Sequence, residues 1–324
     1  MKQKGLLLFL LLFAGVFIAG VALAGGTWEV DSADALDSAL AEIAASGETE
    51  ATIMLTADLE GTSFTGISGV QLTLASTPGQ CYAIQLGNEL QCPIVFDNVD
   101  ASASELYCNG YPTVFSENSK LTVRGAVFDG GNQKTVQSTS LVIKGESSIN
   151  NVSKRDFNIV AGSYKGSVTE DTYLELGGTL YTVNGNHITG ANARTKYGGD
   201  TYTGDPLYVG GNVTMVIDLN PISTSSPAIS GTYSSAIHGD LSLTFKAGYA
   251  HGISSQLGLS GEETKISGDI HLIIGDESYE NTDRYARMSY NWSIYGAGEQ
   301  MPHSDELFLV GGDIQIDAYE NLWG

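Results

Sequence analysis

Two periodicities divide this chain. Near the start, Leu36, Ala39, Leu40 and Ile43 recur at helical spacing. Asp31 or Ser32 can cap that segment, Asp34 sits in its first turn and Gly47 can stop it, so the pattern predicts one short amphipathic helix over about residues 33–46. From Ala51 onward the period becomes two. Ile53, Leu55 and Leu59 alternate with polar residues, as do Val70, Leu72 and Leu74, then Ile94 and Phe96, Leu121 and Val123, Leu141 and Ile143, Leu174 and Leu176. Gly, Asn, Asp, Ser and Thr separate these short runs and supply turn chemistry. Taking Leu55, Leu74, Phe96, Val123 and Ile143 as equivalent gives intervals of 19, 22, 27 and 20 residues, a loose repeat.

The second half repeats more clearly. Gly211-Asn212 leads into Val213, Met215 and Ile217. Gly239-Asp240 leads into Leu241, Leu243 and Phe245, Gly268-Asp269 into Ile270, Leu272 and Ile274, and Gly312-Asp313 into Ile314 and Ile316. The glycines stand 28, 29 and 44 residues apart, and Ile229-Ser230-Gly231 and Ile294-Tyr295-Gly296 form a secondary signal. Glycine permits a positive φ at a corner, Asn or Asp suits the next turn position, and the alternating residues send every second side chain inward. One coil cannot bury that row alone, but a stack of coils buries it continuously. The expected architecture is therefore all-β: a solenoid of stacked parallel coils over 51–324, preceded by a capping segment over 25–50 whose helix covers the first open edge. The 44-residue gap reads as a coil with an insertion at about 276–304. An antiparallel β-sandwich also has short strands and turns, but does not need a Gly-[Asn/Asp] corner at nearly fixed spacing.

Residues 1–24 stand apart from this pattern. Lys2 and Lys4 precede an apolar run from Leu6 to Val21, and Ala22-Leu23-Ala24 is a small-residue cleavage box. That layout predicts a secretory signal peptide cut after Ala24, and hence a secreted or cell-surface protein that is not membrane-embedded once cut. A membrane anchor is the competing reading; the run is short for a hydrocarbon core about 30 Å thick. The whole chain has 324 residues, Lys+Arg 15, Asp+Glu 37 and a formal net charge of −22. Such a charge repels phosphate backbones and argues against nucleic-acid partners, while it could attract divalent cations such as Ca²⁺. Hydrophobic residues make up 42%, enough for a real core. Cys81, Cys92 and Cys108 allow one bridge with a leftover thiol, or three thiols in a stacked core, and fit no zinc spacing.

Four stretches carry a family resemblance. They are Trp28-Glu29-Val30 with the helix and Thr52 to Leu59; Val70 to Leu74 with Ser76-Thr77-Pro78-Gly79; Phe96-Asp97-Asn98-Val99 followed by Cys108-Asn109-Gly110-Tyr111; and Phe128-Asp129-Gly130-Gly131. Together they resemble secreted right-handed parallel β-helix proteins with a pectate-lyase-like fold, nearest to the adhesin-like group on bacterial surfaces. The resemblance spans most of the chain as pattern and implies architecture more than activity. It implies an exported surface protein, with host or matrix glycans or surface proteins as partners. The end at Leu322-Trp323-Gly324 leaves two alternatives: Trp323 closes the last coil, or the chain is a piece of something longer.

Candidate chemistry is sparse. Asn281-Thr282-Asp283 is similar to a polygalacturonase triplet, but the Asp-Asp pair, Gly-His-Gly and Arg-x-Lys that accompany it are absent from the sequence. His238 and His251 sit singly beside corners, with no partner at metal-ligand spacing. Asp97, Asp100 and Asp129 could converge if their coils stack, or could be exposed turn carboxylates. Asn212, Asp240, Asp269 and Asp313 could align as a ladder of turn caps. The leading ligand-binding candidates are Tyr285, Tyr290, Trp292 and Tyr295 in the insertion, near Tyr279, Arg284 and Arg287, because exposed aromatic faces suit sugar rings or partner proteins. The alternative is that these aromatics pack an extra coil. Asn151, Asn212 and Asn291 begin glycosylation sequons. No catalytic residue is assigned. The expected role is a non-enzymatic adhesin-like or structural protein; the alternative is a polysaccharide lyase or hydrolase on the same scaffold, which needs acids and bases converging in a groove.

Overall fold

The computed structural model describes residues 25–130, 134–149, 157–182, 187–192, 205–220, 227–233, 235–257, 263–279, 284–288, 294–295, 307–319 and 322–323. The predicted signal peptide and its cleavage site at Ala24 lie outside them. The predicted helix is present as α1, Ala33–Ser46. Ser32 caps it, its Oγ accepting the Ala35 N–H at 3.3 Å. Gly47 ends it in the left-handed region at φ 75°. Leu36, Ala39 and Ile43 are buried, and α1 lies against strands Thr27–Val30 and Leu59–Phe64.

Strands dominate everything after the helix, and every pairing among the described strands is parallel. They form an 18-stranded, strongly curled sheet, a 7-stranded sheet and a 4-stranded sheet. The chain visits these in turn and then returns to the first, which gives a solenoid-like stack. The turn that begins at Leu241–Ala250 shows the circuit. It continues through Gly252–Leu257 in the 7-stranded sheet and Glu263–Ile266 in the 4-stranded sheet, then rejoins the large sheet at Ile270–Ile274. Strand Leu241–Ala250 is long enough to turn a corner, pairing with Ile270–Ile274 through its first half and with Ala286–Met288 through its second.

Register sets the core. One inward column runs Ile53, Leu74, Phe96, Phe115, Ile143, Leu176, Ile217, Phe245, Ile274. All nine are buried within one continuous apolar cluster. The Phe96 and Phe115 rings stack at 4.4 Å and 4°, the parallel overlap that consecutive rungs impose. This corrects the first-half equivalence drawn from sequence. Val123 belongs to a neighbouring ladder, paired with Ala103 and Ile149, and the member of the column is Phe115. Leu55 pairs with Ser76, so Ile53, in register with Leu74 and with Trp28 before it, is the member on that rung. Strand Thr113–Phe115 has only three residues, too few to display an alternation. In the second half the equivalence holds: Val213, Leu241, Ile270 and Ile314 are register partners. Ile229, Ile253 and Ile294 align likewise in the 7-stranded sheet. Residues 276–304, read as an insertion, contribute strands Ala286–Met288 and Ile294–Tyr295 to two of the ladders.

The corner glycines act for a different reason than expected. Gly211, Gly239, Gly268 and Gly312 are not among the residues with positive φ. They are required because no side chain fits. A Cβ on Gly268 would lie 2.1 Å from Asp240 Oδ1 and 2.7 Å from the Gly239 carbonyl oxygen, and a Cβ on Gly239 or Gly312 would meet Asn212 or Asp269 in the same way. Backbone bonds fix that spacing, from Gly239 N to Gly211 O and from Gly268 N to Gly239 O, both 3.0 Å. Gly268→Ala must therefore push neighbouring rungs apart. It is expected to cost about 1–3 kcal/mol in urea denaturation, whereas Ser242→Ala, at a half-exposed outward position, stays within about 0.5 kcal/mol.

Candidate binding groove

The groove lies where the large sheet turns a corner and is about 490 Å³ in volume. Strand Thr172–Thr182 makes the bend at Gly177-Gly178, with Gly178 at φ 63°. Glu117, Lys144, Glu146, Glu175, Asp218, Asn220 and Arg284 line it from successive rungs. They gather because outward side chains of stacked strands repeat at the strand spacing, about 4.8 Å. Lys144 Nζ stands 3.0 Å from Glu175 Oε1. Asn220 Nδ2 donates to Thr179 Oγ1 at 3.1 Å.

Two of the lining residues, Asp218 and Arg284, are held by the segment after strand Ile270–Ile274. Gly275 turns it at φ 88°, and a short 3₁₀ turn, Glu277–Tyr279, follows. Asp276 anchors the turn by accepting from the Ser278 N–H at 2.9 Å and its hydroxyl at 2.6 Å, and pairs with Lys246 Nζ at 2.9 Å. Partial burial alone would raise the Asp276 carboxyl, but the Ser278 and Lys246 hydrogen bonds outweigh it and hold it at about 2. The Tyr279 hydroxyl donates to Asp218 Oδ2 at 2.6 Å. Arg284 donates to the Asp218 carbonyl oxygen at 3.1 Å and to its Oδ1, and its guanidinium lies 4.7 Å from the Tyr279 ring centre. Burial, then the Asp218 hydrogen bond and charge, push the Tyr279 phenol up to about 12.

Of the four ligand-binding residues predicted from sequence, Tyr290 and Trp292 lie outside the described residues. Tyr295 is described only through its backbone, paired with Ser254. Tyr285 is half-buried next to Arg284, and its carbonyl accepts the Gly248 N–H at 3.0 Å. Arg287 covers the Tyr249 ring at 5.3 Å. The sequence pointed to this segment for its aromatics; the structure instead uses Tyr279 and Arg284 to hold Asp218. Lys144, Glu175 and Asp218 carry no local motif and become neighbours only through register.

The other candidates separate. Asp97, Asp100 and Asp129 sit on three different ladders and do not converge: Asp97 accepts from Ser116 Oγ at 2.9 Å, Asp100 pairs in register with Lys120, and Asp129 is fully buried rather than an exposed turn carboxylate. His238 stacks on Tyr208 at 5.1 Å. His187, not singled out from sequence, is held down at about 4 by burial and by nearby His251. Among the described residues no group of three His, Cys, Asp or Glu side chains is placed to hold a metal ion. Cys81, Cys92 and Cys108 are all free thiols, the last two buried.

The proposed corner ladder is real and longer than predicted. Asp171 Oδ1 accepts the Asn212 N–H at 2.7 Å, Asn212 Oδ1 that of Asp240 at 2.9 Å, Asp240 Oδ1 that of Asp269 at 2.8 Å, and Asp269 Oδ1 that of Asp313 at 2.8 Å. Each side chain thus caps the next rung rather than its own turn.

No family model, no curated protein and no solved structure matches this chain.

The ladder needs an acceptor oxygen, not a charge, as Asn212 demonstrates. Asp240→Asn is accordingly expected to keep or slightly raise stability by relieving repulsion from Asp269, while Asp240→Ala loses about 0.5–1.5 kcal/mol. Equilibrium denaturation of the two variants checks both signs.

Proposed function

We propose that this chain is an exported, right-handed parallel β-helix that serves as an adhesin-like or structural surface protein. The supporting observation is the unbroken parallel ladder from Thr27–Val30 to Ile314–Ala318, filled by one apolar cluster from Val30 to Ile274, with Ile314 and Ile316 of the last strand exposed. Eleven strands at about 4.8 Å spacing make a rigid body about 50 Å long. Its broad outward face carries hydroxyl side chains, among them Thr73, Thr214, Ser242 and Thr244. Such a body presents a fixed surface at a distance, as a stalk or adhesive module requires, and its high negative charge keeps it soluble outside the cell.

A second reading is favoured by one observation: the groove brings Asp218, Glu175, Lys144 and Arg284 together. Converging acids and bases are what a glycan-cleaving β-helix needs. Here, however, each cation is already closed onto an acid, Lys144 on Glu175 and Arg284 on Asp218. Glu117 and Glu146 add further negative charge to the rim. An acidic polysaccharide would meet net repulsion there, so binding of neutral or aminated glycans without cleavage fits the groove better.

Two measurements test the proposal. Expressed with its own leader in a bacterial host, the protein is expected outside the cytoplasm with Gly25 as its first residue by mass spectrometry; a retained Met1 contradicts export. Incubated with pectin and a panel of acidic and neutral glycans, with and without Ca²⁺, the mature chain is expected to show no turnover. Robust turnover lost in Asp218→Asn would overturn the non-enzymatic reading in favour of the second.

A further inference from the structure

Asp129 occupies a place in the core where a charged residue is least expected. The backbone bonds Cys108 N to Phe128 O at 2.8 Å and Asp129 N to Val160 O at 3.0 Å align Cys108, Asp129 and Ala161 as consecutive rungs of one column. Cys108 and Ala161 belong to the continuous apolar core, whereas Tyr107, Phe128 and Val160, one residue earlier on each rung, form a separate buried cluster. The alternation therefore points Asp129 inward. Its exposure is 0%, and neither carboxyl oxygen has a hydrogen-bond partner of good geometry. The polar groups that bear on it are the Cys108 thiol and the Ser140 N–H; Thr113 bears in turn on Cys108. Among the described residues, no charged side chain from the rungs above or below acts on it, and Cys108 is the one titratable neighbour that does.

The carboxyl cannot swing out to water. Its residue's N–H is tied to Val160 and its carbonyl accepts the Gly110 N–H at 2.9 Å. The next residue, Gly130, leaves no room either, because a Cβ there would lie 2.2 Å from Ser163 Cα. Ionising Asp129 in place would bury an unpaired charge, which the interior does not tolerate. Ionisation and exposure are therefore linked: the charge forms only when the rungs around residues 107–110, 128–130 and 160–162 separate.

We propose that Asp129 and Cys108 form a pH-sensitive latch in the solenoid wall, shut while Asp129 is a neutral acid and opened by its ionisation, which uncovers the Cys108 thiol. The sign follows from the environment. Burial, above all, raises the Asp129 carboxyl well above the usual carboxylate range, and also raises the Cys108 thiol. The closed rung keeps a proton that the open one releases, so closure is fully favoured below the ordinary carboxylate value, about pH 4. It weakens up to tenfold per pH unit above that, until the raised value is reached.

The chain carries its own controls. Cys81 is exposed, and Cys92 is buried at 0% exposure with no carboxyl bearing on it. Iodoacetamide labelling of the full chain, read peptide by peptide between about pH 5.5 and 8.5, cancels the shared thiolate dependence when Cys108 is divided by Cys92. The expected result is a ratio that climbs steeply with pH in the wild type and is flat in Asp129→Asn. A flat wild-type ratio, or a slope that survives in Asp129→Asn, overturns the proposal. Should that variant fail to fold, the carboxyl-carbon resonance of Asp129 in the wild type decides alone. It is expected at the protonated position at pH 6, and an ionised signal there overturns the latch.

Discussion

No rung of this chain can bury its own apolar side chains; each depends on the parallel backbone bonds that hold the next rung directly over it. That single constraint explains most of the structure. Because equivalent residues stack at one strand spacing, an inward position must be apolar in rung after rung, as in the column from Ile53 to Ile274. At corners the backbones come so close that Gly268 and its equivalents have no room for a Cβ, and the Asx residue that follows caps the rung above. The helix α1 fits the same logic, laying Leu36, Ala39 and Ile43 against early rungs.

The same stacking creates the chemistry. Outward residues far apart in sequence become neighbours, so Lys144, Glu175 and Asp218 share a groove although 31 and 43 residues separate consecutive members. Inward residues are trapped, so Asp129 keeps a carboxyl in the core with both oxygens unpaired. A groove whose cations are already engaged suits holding a ligand better than cleaving one, which is why the surface role is preferred over the enzymatic one.

What could be read from sequence follows from how local each signal is. The helix was legible to the residue, because Ser32, Asp34 and Gly47 act within one turn of where they stand. The second-half corners were legible because Gly and Asx must recur together. The first-half register was not: Thr113–Phe115 is too short to alternate, and the neighbouring Leu121 and Val123 imitate its pattern from another ladder. The purpose of the corner glycines was misread, since crowding between rungs leaves no local trace that distinguishes it from a positive φ. The burial of Asp129 was missed because Phe-Asp-Gly-Gly has the composition of a surface turn, while that burial is imposed by Cys108 and Ala161 in other coils. The groove was invisible for the same reason: its members meet only through register.

The parallel stack is the claim on which all of this rests, and distances along one outward column test it most directly. Gln71, Ser140, Tyr173, Thr214, Ser242 and His271 fall on one such column. Spin labels on Ser140 and His271 span four rungs, and labels on Gln71 and His271 span seven. Pulsed electron paramagnetic resonance should therefore give narrow distributions centred near about 19 Å and about 34 Å. Distances that do not grow with the number of rungs, or that place Ser140 farther from His271 than Gln71 is, would show strands paired in another order and contradict the stacked solenoid.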